Sequence, residues 1–199
     1  IVPTPTSTSS SGSGNYHEVD GKCVMEAENG IFSNADASGH VWSVANSVSG
    51  YAGDGYVGTP DEGTQTDVWA DACGVSWVVD ITNAGEYFIS AREYAPGGSS
   101  DSSQIGVDNS QTCSKAFKDG TAQFAWNQNS SCGISLGSLS AGEHTIEIRK
   151  REDGQLIDRV MIALNTADFP ANGSTETGPA ESQRSGGTAP TPIVPTPSA

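Results

Sequence analysis

The stretch Val-Met-Glu-Ala-Glu-Asn-Gly, residues 24–30, sets Glu26 and Glu28 one residue apart in a run that otherwise reads as the start of a buried strand. In an extended strand alternate side chains share a face, so the two carboxylates occupy one small volume while Met25 and Ala27 turn the other way. Like charges this close either raise a pKa or hold a cation, and hard oxygens of this kind suit calcium better than zinc. A solvated strand face is the plainer reading of the pair taken alone. A third acid favours the cation. In Leu-Ile-Asp-Arg-Val-Met-Ile-Ala-Leu, residues 156–164, Asp158 heads a row that continues through Val160, Ile162 and Leu164, where a bare carboxylate is costly to bury. If the first and last strands are neighbours, Glu26, Glu28 and Asp158 converge and require a counter-ion. Arg159 could supply it, but strict alternation sends that side chain to the opposite face.

Two carboxyls could instead hydrolyse a glycoside, which requires one of them to keep a proton. A calcium between Glu26 and Glu28 would pin both as ionised ligands, and the chain is read as non-catalytic. His17, His40 and His144 show no triad or metal-ligand spacing.

These residues must be positioned by strands. Alternating or β-branched and aromatic segments recur between turn signals: KCVMEAE, GYVGT, VSWVVDI, EYFISAREYA, SQIGVDN, QFAWNQ, CGISLGSL, HTIEIRKRE and LIDRVMIAL. NAGEY and SAGEH each place Ala-Gly-Glu before an alternating run, as a tight turn feeding a strand does. No segment carries a helical apolar stripe. The expected fold is all-β, an antiparallel β-sandwich, with Trp77 of VSWVVDI in its core.

Composition sets the limits of that sandwich. Both ends are rich in Pro, Ser, Thr and Gly and share the phrase IVPTP, which reads as linkers flanking a module of a longer chain. The expected boundaries are residues 1–18 and 171–199 for the linkers and 19–170 for the module. The net charge of −15 falls mostly in the module, since the terminal stretches 1–15 and 173–199 hold Glu176, Glu181 and Arg184, a net of −1, and leave −14. Such a surface repels phosphate backbones and excludes nucleic acid as a partner. No apolar run approaches the roughly 20 residues of a membrane span, and no signal peptide is seen, as expected of a mature or excised fragment. A monomer is expected of a charged, linker-borne unit. Cys23, Cys73, Cys113 and Cys132 lack zinc-site spacing. Among three connectivities Cys113 with Cys132 is preferred, leaving Cys23 with Cys73, and bridges of this kind imply an oxidising compartment. Four buried thiols are the alternative.

The EAE of residues 26–28, GYAGDGYV at 50–57, SLSAGEHTIEIRKREDG at 138–154 and IDRVMI at 157–162 together resemble the family 35 and family 6 carbohydrate-binding modules over residues 19–169. The resemblance implies a jelly-roll sandwich, linked to a secreted polysaccharide-degrading enzyme, that binds a polysaccharide or oligosaccharide and carries no catalysis itself. It also implies a structural Ca2+ held by Glu26, Glu28 and Asp158, with carbonyls from the loop containing Ser47 and Gly50. Aromatic side chains of such modules stack on sugar rings, with an Asn just before the final acid bonding a hydroxyl. Here Gln155 and Leu156 precede Ile157 and Asp158, so the amide is displaced by one position. Tyr51, Trp126 and Trp42 are the stacking candidates, with Gln155, Arg92 and Asp153 as polar partners. Trp126, in step with Phe124, could equally pack between sheets. A calcium-stabilised spacer or adhesion module without a sugar site is the competing reading.

Overall fold

The computed structural model describes residues 14–186. The strands are β1 (Tyr16–His17), β2 (Lys22–Glu26), β3 (Ile31–Phe32), β4 (Ser43–Ala45), β5 (Tyr56–Gly58), β6 (Gly74–Ile81), β7 (Gly85–Tyr94), β8 (Ser103–Val107), β9 (Ser110–Ala116), β10 (Ala125–Asn127), β11 (Ser135–Leu139), β12 (Gly142–Lys150) and β13 (Leu156–Ala163). They form two sheets. One runs β1-β6-β12-β8-β9, with β3 also on β6. The other runs β10-β7-β13-β5-β4, with β11 also on β7 and β2 on β13. Every strand pair is antiparallel except β1 with β6. The expected sandwich is therefore present, and its first and last long strands are neighbours through β2 and β13.

Alternation builds the core. Val75, Trp77, Val79 and Ile81 of β6 and Ile146 and Ile148 of β12 meet Tyr87, Ile89 and Ala91 of β7 and Ile157, Val160 and Ile162 of β13. Each such side chain stabilises the fold by about 2 kcal/mol through burial. Trp77 is fully buried, as expected, and its indole N–H donates to the Glu26 carbonyl at 3.1 Å, which ties the two sheets together beside the glutamates. The nine segments recognised in the sequence each contain a strand. Four more escape the pattern: β1, β3 and β4 are two or three residues long, too short to show a period, and β9 is a largely polar edge.

Cys113 and Cys132 form a disulfide across a separation of 19 residues, a loop whose closure stabilises by about 3 kcal/mol. Cys23 and Cys73 are buried free thiols, so the second bridge expected from the even count is not made. Cys73 immediately precedes β6, whereas Cys23 lies by Glu18, whose amide bonds the Asp80 carbonyl near the far end of that strand. Burial pushes both thiols up, Cys23 to about 12 and Cys73 to about 11, and they act as small apolar core residues.

The module limits also need correction. Residues 14–18 and 171–186, expected as linker, are built into the fold. β1 pairs with β6, and the His17 amide donates to the Gln183 carbonyl at 2.9 Å. From Pro170 onward the chain crosses the outer face of the second sheet as a strap. The Trp126 amide donates to Ser174 O (2.9 Å), the Ser182 amide to Val24 O (2.9 Å), and Phe169 packs with Val24, Trp126, Met161 and Ala163. Residues 1–13 and 187–199, where the linker expectation also falls, lie outside the described residues.

Candidate functional site

The glutamates do not share one strand. β2 ends at Glu26, and Glu28 sits in a single 3-10 turn, Ala27–Asn29. What brings them together is the loop of residues 50–55. Gly53, at φ +61°, lies so close that a Cβ there would stand 2.5 Å from Glu28 Oε1 and 3.1 Å from Glu26 Cδ. The Asp54 amide donates to Glu28 Oε1 at 2.8 Å.

Asp158 reaches the same region by a different route from the one alternation implies. The register between β13 and β7 slips between Ile157 and Arg159, so Asp158 is the extra residue of a β-bulge. Beyond the slip alternation is regular, so Arg159 lies on the outer face with Met161 and Ala163, away from the core row of Val160 and Ile162, and stands across from both Glu26 on β2 and Arg92 on β7. Parity places Arg159 correctly; it is the acids that it misplaces, since Glu26 faces outward and Asp158, as the bulge residue, leaves the inward row to meet Arg92, and Arg159 is the counter-ion after all. Trp126, Arg92, Arg159 and Glu26 form one row across four strands.

Every charge in that row is partnered. Arg159 forks onto Glu26, Nε to Oε2 at 2.9 Å and Nη2 to Oε1, and donates through Nη1 to Thr177 O (3.0 Å) and Pro179 O (2.8 Å). Arg92 pairs through Nη1 with Asp158 Oδ2 and donates through Nη2 to Gly50 O and Thr175 O, both at 2.9 Å, and through Nε to Glu176 O at 3.1 Å. The other Asp158 oxygen accepts from the Ala52 amide at 2.8 Å. Burial pushes Asp158 up to about 6 against the pull of Arg92, which leaves it ionised at neutral pH. Burial also pushes Glu28 up to about 7, and its Oε2 is buried without a hydrogen-bond partner.

This arrangement does not fit the expected Ca2+. Calcium takes six to eight oxygens at about 2.3–2.6 Å. Both oxygens of Glu26, both of Asp158 and the Gly50 carbonyl are already engaged by guanidinium or amide donors. The Ser47 hydroxyl shares a hydrogen bond with the Tyr56 hydroxyl at 3.0 Å, which leaves the Ser47 carbonyl, the expected ligand, outside this count. Among the described residues no cluster of three or more His, Cys, Asp and Glu side chains is arranged for a metal.

Five of the six expected sugar contacts are also unavailable, because packing claims them. Trp42 is in the main core with its indole N–H on Cys73 O at 3.2 Å. Trp126 lies under the strap, its N–H on Glu176 O at 3.0 Å, and Gly178 packs so tightly that a Cβ would stand 2.6 Å from the indole. Arg92 is held as described. The Gln155 amide accepts from Ser103 Oγ (2.5 Å) and donates to Phe117 O (2.9 Å). Asp153 Oδ2 accepts from the amides of Glu62 and Thr64 and from the Thr64 hydroxyl at 2.9–3.0 Å. Tyr51 alone remains partly exposed.

Tyr51 is one end of a feature the sequence reading missed. Its ring meets Tyr56 edge-on at 5.8 Å, Tyr56 meets Phe124 at 5.3 Å, and Phe124 meets Tyr94 at 5.7 Å. Tyr51 and Tyr94 are half-buried while the two rings between them are buried. Tyr94 stands two residues beyond Arg92 on β7 and opposite Leu156, a parity that could have found it.

A second buried group went unseen. Lys150, fully buried, pairs with Asp36 at 2.6 Å and lies 2.9 Å from Thr64 Oγ1 and 3.1 Å from His40 Nδ1, while Thr64 bonds Asp153. His144 lies between Asp108 (2.7 Å) and Ser140, an order that suggests a triad. Its Nε2 lies 3.3 Å from the Ser140 hydroxyl and 3.1 Å from the Ser140 carbonyl, so the hydroxyl shares that nitrogen with its own main chain.

Glu93 gives a pH prediction. It is buried beside Asn127, whose amide donates to Oε1 at 2.9 Å, and burial pushes it from 4.5 up to about 7. Between those values the folded chain holds a proton that the unfolded chain has lost, so stability falls as pH rises through this window. Glu93→Gln should gain on wild type by up to about 3 kcal/mol from about pH 5 to about pH 8 in urea titrations. A gap independent of pH would show that the carboxyl is ionised throughout.

Strands of this order, packed face to face around one core with loops gathered at the sheet ends, define a jelly-roll β-sandwich module. Comparison with solved structures gives the particular fold, that of the family 35 carbohydrate-binding modules. The chain is similar to the GH26-CBM35 β-(1,4)-mannanase of Podospora anserina, with TM-score 0.53 and 21% identity over 88% of this chain and 29% of that one. It is similar to a CBM35 from Paenibacillus barcinonensis, with TM-score 0.52 and 20% identity over 71% of this chain and 98% of that one. A family 35 module from an environmental isolate gives 0.50 and 19%, over 75% and 97%. The chain spans less than a third of the mannanase but nearly all of the two isolated modules. No family model and no curated protein matches the sequence.

Proposed function

We propose that the chain is a non-catalytic module that binds a polysaccharide and keeps a catalytic domain of the same secreted chain on its substrate. The row Tyr51–Tyr56–Phe124–Tyr94 carries this reading, because two half-exposed rings braced by two buried ones offer rigid apolar faces for pyranose stacking. Glu26 and Asp158 next to it are held in ion pairs, with an amide hydrogen bond to Asp158, which suits binding and not proton delivery. The disulfide supports an oxidising, extracellular setting. Affinity is modest, since hydroxyl contacts exchange for water, and tethering makes it effective by turning encounter into an intramolecular event.

Because the full-length relative is a β-(1,4)-mannanase, β-1,4-mannan is the first probe, beside xylan, cellulose and pectin gels. Tyr51→Ala and Tyr94→Ala should each weaken retention about tenfold while leaving the far-UV spectrum intact. The burial of Trp42, Trp126, Arg92, Asp153 and Gln155 favours the second reading, a structural spacer. Absence of retention by wild type on every gel would decide for the spacer.

A further inference from the structure

We propose that the guanidinium groups of Arg92 and Arg159 stand in this sandwich where a divalent cation would be needed, and that the chain therefore folds and stays closed without calcium. The inference is independent of glycan binding. Glu26, Glu28 and Asp158 bring up to three negative charges to one region, and two arginines on adjacent strands bring two positive ones, the same charge as one calcium ion. Side by side in register, the arginines would repel unless each had its own acid and its own carbonyls. Both have them. Glu26 is chelated by the Arg159 fork, Asp158 is held by Arg92, and five backbone carbonyls complete the two sets: those of Gly50, Thr175, Glu176, Thr177 and Pro179. Four of those carbonyls come from the strap, so the covalently attached cations close the C-terminal segment over the sheet as well as neutralising Glu26 and Asp158. The planar fork of arginine suits this arrangement, since it reaches a carboxylate and two carbonyls in different directions.

The test uses the full chain. Thermal melts with excess chelator and with added calcium, together with elemental analysis after gel filtration, should give melting temperatures equal within about 1 °C and no stoichiometric calcium. Arg159→Gln, which leaves Glu26 buried and unpaired, should melt about 10 °C lower. A chelator-induced fall in the wild-type melting temperature with one calcium recovered per chain overturns the proposal, and so does an Arg159→Gln variant that melts with wild type. If that variant does not fold, the wild-type melts decide alone.

Discussion

A chain ended after Pro170 is expected to lose its cooperative melting transition. Removing the strap strips Arg92 and Arg159 of four carbonyl acceptors and uncovers Trp126, Val24 and Met161 on the outer face of the sheet. Hydrogen bonds to charged groups contribute about 1.5–3 kcal/mol each, so four of them alone approach the 5–15 kcal/mol total of an ordinary domain. The uncovered apolar side chains add to the deficit. Near-UV circular dichroism and dye binding on the 1–170 chain should show lost side-chain order and exposed apolar surface. A truncated chain that melts within a few degrees of the full one would mean that the strap rests on the sheet without stabilising it, and the composition-based boundary at residue 170 would stand.

That boundary shows what composition can and cannot disclose. A segment rich in Gly, Ser, Thr and Pro has little apolar surface to bury, and on that ground residues 171–186 read as linker. Its contribution comes from main-chain carbonyls, which every residue type carries, from Gly178, whose missing side chain lets the backbone lie on Trp126, and from scattered polar side chains such as Glu181 on Tyr16 and Ser182 on the Val24 amide. The carbonyls leave no mark in residue type, and Gly178 is one glycine among several in this segment. The sandwich was legible because β6, β7, β12 and β13 are long enough to alternate. Convergence of Glu26 and Asp158 followed from the neighbouring of β2 and β13. The counter-ion did not follow, because Glu26 faces outward and one extra residue takes Asp158 out of the row of Val160 and Ile162, so the acids stand on the side of Arg92 and Arg159 and not opposite it. A bulge is set by the partner strand's register, so a period-two reading of a single strand passes over it.

The second large effect lies in the buried group around Lys150. Its ammonium is the cation beside Asp36, and through Thr64 it is joined to Asp153, whose Oδ1 is buried without a partner. Burial alone would raise the pKa of Asp36. The hydrogen bond from Lys150 and the amides of His40 and Ser38 outweigh it and hold Asp36 below the usual carboxylate range. Asp153 is likewise held down against burial, by Thr64 and Glu62 first and by Lys150 last. Lys150→Met keeps the length of the side chain and removes the charge, so Asp36 is left buried without its cation, at an expected cost of about 3–5 kcal/mol near neutral pH. The sign of the pH dependence follows from the lowered values. A carboxyl depressed in the folded state contributes stability above its unfolded pKa and loses it as pH falls through the folded one. Once Lys150 is gone the folded pKa of Asp36 rises, protonation relieves the variant at a higher pH than wild type, and the gap between them narrows on acidification. Urea titrations at about pH 7 and about pH 4 should show the deficit shrinking by half or more. An equal deficit at both would assign the loss to the packing of the lysine stem, because a charge effect on Asp36 cannot survive its protonation.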